Sequence, residues 1–257
     1  MTIIRRLISI LVLLSFATVG NTASQRPVAN DLSSADSRPK PKEVAFSPRK
    51  LRLIDYNPVS GNYLFRGNMP VIKGRFAYQK LIDTMNRRSI EQLHTPLPEN
   101  IYIYDFSLIS KLGERHLLKQ EQMFAQINPD LMQLIHHPVY GAASNPDYYP
   151  TSVLHIMLKL PFIGDVYKLV DKLNKLLNQE YSRPAAIFVH CQAGSDRTGM
   201  VIGTYQMQFL GKSYLEVIEE AEEIAGRPLR SLQKRALKWI AYYLRDSKGI
   251  QSVGAIY

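Results

Sequence analysis

Apolar positions along the chain follow two different periods. In residues 165–178, Val166, Leu169, Val170, Leu173, Leu176 and Leu177 share one face of a 3.6-residue repeat, with Asp165 at the N-cap position, which predicts an amphipathic helix. Helices are also predicted over 76–85, 113–125 and 199–209, and in a last segment opened by Pro228 and reaching Leu244. Between these two, Ser213 and Glu216 form a capping box for a helix over 214–225 that Gly226 closes. Strand patterns differ in kind. IYIYDFSL (101–108) is β-branched and aromatic, VLHIMLKL (153–160) reads as a strand, and AAIFV (185–189) is short, wholly apolar and preceded by Pro184, as a strand buried on both faces would be. Residues 131–139 are ambiguous on pattern alone, with a strand among the readings. LRLIDYNPVSGNYLFRGNMP (51–70) mixes short apolar runs with Asn-Pro, Ser-Gly and Gly-Asn punctuation, and reads as short strands and turns. Residues 138–150 read as a loop. Strands first, strand–helix alternation next and a helical C-terminal half predict an α/β fold with a central, mostly parallel sheet flanked by helices.

The N-terminal segment stands outside this pattern. Arg5 and Arg6 precede an apolar run from Leu7 to Val19 and then small residues, the order of a secretory signal, with cleavage expected after Ala23. The other reading is an uncleaved anchor, but the run is shorter than the ~20 residues a spanning helix needs. Residues 24–48 are rich in Ser, Pro, Lys and Arg and read as a flexible linker, which leaves 49–257 as one catalytic-sized domain. The expectation is an exported protein, periplasmic or secreted, with no stable membrane span once the signal is cleaved. A net charge of +10 over 257 residues suggests an anionic partner. No dense basic run interleaved with aromatics and no zinc-finger or RNP-like pattern points to nucleic acid. The chain has a single cysteine, so no intramolecular disulfide can form, and the thiol is either buried inertly or used.

That cysteine sits in VHCQAGSDRTG, between the apolar strand and a predicted helix starting near Thr198. Ligands of open α/β sheets bind beyond the carboxyl ends of strands, and a loop that opens a helix presents backbone N–H groups and the positive end of its dipole. Gly194 lets the backbone curl close to a ligand, Arg197 offers a planar fork of donors to phosphate oxygens, and both features suit a phosphate group. The same field lowers the pKa of Cys191 and makes its thiolate a nucleophile that can attack phosphorus in line, giving a cysteinyl-phosphate that water then breaks. Thr198 would help the sulfur leave. Neither metal nor cofactor is required, and the six histidines make no ligand spacing. A lone cysteine is more often structural. Yet His-Cys-x-x-Gly-x-x-Arg arises by chance in well under about one chain in a thousand at ordinary residue frequencies, which favours catalysis.

HCQAGSDRTG resembles the HCx₅R[ST] signature of the cysteine-dependent protein tyrosine phosphatase superfamily, most closely its dual-specificity-like and bacterial members. YLFRGNMP (63–70) is similar to the opening of the bacterial members, and the likeness spans residues 62–244. It implies a tyrosine-phosphatase-like fold, Cys191 as nucleophile and Arg197 as phosphoryl binder. Gln192, Ala193, Gly194, Ser195, Asp196 and Arg197 then form the cradle, with His190 and Thr198 in support. It also implies a general acid on an upstream loop. Asp165 is the first candidate, Asp196 the second and Asp147 the third; each has a structural alternative, as helix cap, loop brace or distant loop residue. Asp105 reads as structural, and His190 as a hydrogen-bonding partner of the loop backbone that tunes the thiolate. Tyr148 and Tyr149 wall a cleft or simply pack. The function expected is hydrolysis of phosphotyrosine, with phosphoserine or phosphothreonine in reach, on a phosphorylated protein or peptide. The alternatives are a phosphoinositide or inositol phosphate phosphatase, disfavoured by a loop without lysine, and a non-catalytic phosphate-binding module.

Overall fold

The computed structural model describes residues 45–157 and 161–257, with the side chains of 112–113, 151, 155, 157 and 161–165 outside the described set. The expected signal segment and nearly all of the expected linker therefore lie outside the described residues. Among the described residues no helix is long and apolar enough to cross a membrane.

Seven strands are described: β1 (Arg52–Asn57), β2 (Asn62–Asn68), β3 (Val71–Ile72), β4 (Arg75–Phe76), β5 (Tyr102–Ser107), β6 (Met132–His136) and β7 (Ala185–Cys191). Five form the main sheet in the order β1-β2-β7-β5-β6, and β3 with β4 makes a separate two-stranded ribbon. β1 is antiparallel to β2, while β2, β7, β5 and β6 run parallel. The fold is thus α/β with a mostly parallel central sheet. The apolar AAIFV run becomes the middle strand, buried at all seven positions of β7. Its period of two sends Ala186, Phe188 and His190 to one face and Ile187, Val189 and Cys191 to the other. On the first face Ala186 and Phe188 pack with Phe65, Ile103, Leu81 and Met85. On the second, Ile187, Val189 and Cys191 pack with Val170, Leu173, Met200, Val201 and Trp239. Burying a large apolar side chain such as Phe188 contributes about 1.5–3 kcal/mol, so a strand covered on both faces is held firmly in place.

The helices are α1 (Tyr78–Leu93), α2 (Lys111–Ile127), α3 (Thr151–Met157), α4 (Pro161–Asn178), α5 (Asp196–Phe209), α6 (Tyr214–Ala225) and α7 (Ser231–Tyr242). α1 and α2 cover the Phe188 face, and α4 to α7 cover the other. The capping box at Ser213 and Glu216 forms as expected, and Gly226 closes α6 with φ 68°.

Three local expectations change. The run from Val153 is helical: Val153 and Leu154 donate their N–H groups to Pro150 O and start α3, although the last three residues of the expected strand are outside the described ones. A short apolar run does not distinguish strand from buried helix by period alone, and Pro150 favours a helical first turn. α4 begins at Pro161, so Asp165 lies in its second turn and not at the N-cap. The last helix begins at Ser231, because Arg230 is extended at its N-cap (φ −61°, ψ 141°); Leu229 N–H is held by Glu222 Oε1 at 3.1 Å and Arg230 N–H by Asp196 Oδ1 at 2.8 Å. The packed chain also starts slightly ahead of residue 49, since Phe46 is buried and its N–H bonds Val71 O at 3.0 Å.

Candidate active site

β7 ends at Cys191, which pairs with Asn68 of β2, and α5 begins at Asp196. The intervening turn, residues 192–195, therefore sits at the carboxyl edge of the sheet and the N-terminus of a buried helix. Neighbouring elements hold its outer side. Arg66, fully buried on β2, donates from Nη2 to Gly194 O at 2.9 Å, and Lys50 donates from Nζ to Ala193 O at 2.8 Å and to Ser195 Oγ at 3.1 Å. Met69 N–H reaches Cys191 O at 3.0 Å. Gly194 has φ +65°, and a Cβ there would lie 2.5 Å from Gly67 O and 2.6 Å from Asn68 N, so only glycine lets the loop pass β2 this closely.

With those carbonyls engaged outside, the N–H groups of Gly194 and Thr198 and the buried Thr198 side chain lie about the Cys191 sulfur. Burial, at 2% exposure, pushes the thiol up, but Arg197 together with these three donors outweighs it and holds the thiol below its ordinary value. Burial also draws the Arg66 guanidinium down to about 10, which leaves it a cation at neutral pH.

Arg197 is fixed from outside the loop. Glu114 of α2 takes its Nη1 at 2.7 Å and Nη2 at 2.6 Å as a bidentate pair, and Leu108 O accepts from Nη1 at 3.1 Å. Glu114 is itself held by Ser110 N–H at 2.9 Å. Sequence reasoning missed Glu114, Arg66 and Lys50. An acidic residue in the first turn of a helix is unremarkable, and the fold alone brings it to an arginine 83 residues away.

The acid candidates separate clearly. Asp196 carries a brace: Arg227 Nη1 reaches its Oδ1 at 3.0 Å and Nη2 its Oδ2 at 2.7 Å, and Arg230 N–H takes Oδ1 at 2.8 Å. Burial pushes the Asp196 carboxyl up, but Arg227 and Arg230 outweigh it and keep it ionised, so this side chain is unsuited to donate a proton. Asp147 sits in the 3₁₀ turn Pro146–Tyr148 with Oδ2 paired to Lys238 Nζ of α7 at 2.5 Å. The Asp165 side chain lies outside the described ones. Tyr149 packs on Trp239, with ring centroids 5.6 Å apart, whereas Tyr148 is exposed.

His190 departs from expectation. Its ring does not turn into the loop. It points to the opposite face from Cys191, where Nε2 lies 2.9 Å from Asp105 Oδ1 and 3.2 Å from Glu121 Oε1. Its carbonyl accepts Leu108 N–H at 2.8 Å, just past the end of β5.

No protein-family model matches the sequence, and no curated protein does. Among solved structures, the chain is similar to a kinase-associated phosphatase crystallised with its catalytic cysteine replaced by serine, at 15% identity and TM-score 0.45 over 74% of this chain and 89% of that one. It is similar to Tk-PTP in its active form at 13% identity and TM-score 0.43, over 74% and 95% of the two chains. It is also similar to PTPMT1 in complex with PI(5)P at 16% identity and TM-score 0.38, over 80% and 99%. At such identities and scores the chemistry has to be read from the loop itself.

Proposed function

We propose that this chain is a phosphomonoesterase of the cysteine-dependent tyrosine or dual-specificity type, working without a metal. The observation that supports this best is the Cys191 sulfur, buried at the mouth of α5 beneath converging donors from Gly194, Thr198 and Arg197. A phosphate dianion seated on the loop meets the N–H groups of residues 192–197 and the fork of Arg197. The thiolate attacks phosphorus in line and forms the S–P bond as the ester P–O bond breaks. The departing oxygen takes a proton from a carboxylic acid, the role we assign to Asp165. Water then attacks the cysteinyl-phosphate, and the thiolate leaves with help from Thr198. The substrate class favoured is phosphotyrosine on a protein or peptide, with phosphoserine and phosphothreonine in reach.

Protein stripped with a chelator should hydrolyse p-nitrophenyl phosphate at mildly acidic pH and be blocked by vanadate. Cys191→Ser should abolish turnover while leaving the fold intact, and full activity in that variant would overturn the mechanism. Asp165→Asn should lose rate selectively on substrates with poor leaving groups; a parent-like dependence on leaving-group pKa removes Asp165 from the role.

A phosphoinositide or inositol phosphate substrate is the second reading, although the loop has no lysine of its own and Lys50 Nζ braces its outer side. A panel of phosphopeptides, phosphoinositides and inositol phosphates separates the two readings. From the order of residues 1–23 we also infer export, which fractionation of cells making the full chain would check.

A further inference from the structure

A loop that binds an anion through its backbone must keep its amides turned toward the anion. A trans peptide is planar, with C=O and N–H on opposite edges, so rotating one peptide replaces a donor with a repelling oxygen. Gly194, at φ +65° and without a Cβ, is the residue of this turn about which the flanking peptides rotate most freely.

Two cations act on those peptides from behind. Lys50 Nζ donates to Ala193 O at 2.8 Å, which turns the Gly194 N–H to the opposite side, where the Cys191 sulfur lies. Arg66 Nη2 donates to the next carbonyl, Gly194 O, at 2.9 Å, and so turns the Ser195 N–H away from the buried guanidinium. Lys50 also reaches Ser195 Oγ at 3.1 Å, and that hydroxyl donates to Ala193 O at 3.3 Å. Ser195 therefore offers the cradle its N–H and not its side chain. A cation on a carbonyl also polarises the peptide and strengthens the N–H at its other end.

Both cations are held in place. Arg66 is 1% exposed on β2. Lys50 ends the 3₁₀ turn Pro48–Lys50, and the chain entering that turn is tied to the strand beside the nucleophile. Asn68, opposite Cys191 in register, donates from Nδ2 to Ala45 O at 3.0 Å and accepts Ser47 N–H at 2.8 Å. From α1, Arg88 donates from Nε to Leu51 O at 2.9 Å and from Nη2 to Pro48 O at 3.2 Å. Among the described residues neither Lys50 nor Arg66 has an ion-pair partner, so their charge is left to the loop carbonyls. A buried cation without a carboxylate is costly, which is the reverse of what a merely stabilising contact would show.

We propose that Lys50 and Arg66 are positioning residues for phosphate binding, which hold the Ala193–Gly194 and Gly194–Ser195 peptides with their carbonyls outward and their N–H groups toward the phosphate. The inference rests on this loop being the phosphate site. It also makes the segment ahead of β1 a working part of that site, through Lys50.

The experiment is calorimetric titration of the full chain with tungstate, a phosphate mimic, in a Cys191→Ser background, where no bond to sulfur forms and the cradle alone is read. Adding Lys50→Met should weaken binding about tenfold, and adding Lys50→Arg should keep it near the background value. With Cys191 in place, Lys50→Met should raise KM for p-nitrophenyl phosphate by a similar factor and change kcat less. Arg66→Met should weaken tungstate binding as well; if it does not fold, the half-buried Lys50 decides alone. A role in packing alone would lower the melting temperature and leave the tungstate affinity of the folded protein unmoved. Lys50→Met that binds tungstate as the background does overturns the inference. So does a loss that disappears at about 1 M salt, where charges are screened beyond about 3 Å, because a distant charge and not an oriented peptide was then removed. If the Cys191→Ser protein itself binds no tungstate, the loop is not an anion site and the proposed function fails with this inference. If it binds and the Lys50 variant matches it, this inference alone fails.

Discussion

Glu114 and Arg227 divide the work at the loop's two arginine–carboxylate pairs. Arg197–Glu114 fixes a cation at the proposed phosphate site, and Asp196–Arg227 anchors the start of α5 to the segment between α6 and α7. The first pair is half-buried, at 19% and 16% exposure, so its geometry is less eroded by solvent than that of a surface pair. Glu114→Gln keeps one acceptor but removes the charge and the bidentate geometry. Arg197 then has more than one orientation to choose from, and the phosphoryl group is stabilised less in the transition state. The expected loss in kcat/KM is about tenfold to a hundredfold, about 1.4–2.7 kcal/mol, with the larger part in kcat. Steady-state kinetics on p-nitrophenyl phosphate check this, and an unchanged kcat/KM would show that Leu108 O suffices to orient Arg197. Cys191 and Arg197 were legible in the sequence because both sit in one loop whose spacing is set by the turn it must make. Glu114, Arg66 and Lys50 were not, because each reaches the loop from a distant part of the chain.

The strand–loop–helix element was legible for the same local reason: an apolar run, small loop residues and a helix follow one another directly. α6 was legible down to its caps, since Ser213, Glu216 and Gly226 each act within one turn. Residues 153–157 were misread, because a short run of apolar residues satisfies either period and the outcome was decided by Pro150 and packing. The loop's one strained position tests how tightly element geometry controls the site. Gly194→Ala puts a Cβ 2.5 Å from Gly67 O in a conformation with φ +65° that L-residues avoid. The clash is with backbone, so β2 or the loop must shift. The expected cost is about 2–3 kcal/mol of stability and most of the activity, read from the denaturant midpoint and kcat of the same preparation. A parent-like kcat would mean that the loop does not need its close approach to β2.

Across the whole molecule, two sets of ionisable groups pull stability in opposite directions with pH. Burial opposes the ionised forms of Glu114 and Asp196, but their arginine partners outweigh it and hold both carboxyls below their ordinary values. Their contribution is present above the ordinary carboxylate range and is lost as pH falls through their folded values. Glu121 and His190 behave in the reverse sense. Burial lifts Glu121 from 4.5 to about 8, and the contribution of its proton is full below 4.5 and is lost as pH rises through about 8. His190 is raised from 6.5 to about 9 by Asp105 and Glu121 against the opposing effect of burial, so its contribution is full below 6.5 and is lost as pH rises through about 9. The melting temperature should therefore peak in the mildly acidic range and decline toward both acid and alkali. Glu121→Gln cannot ionise, so it should flatten the alkaline limb between pH 4.5 and about 8 while leaving the acid limb to Glu114 and Asp196. Calorimetric scans of parent and variant across pH provide the test: parallel alkaline limbs would mean that Glu121 does not hold a proton in the folded protein.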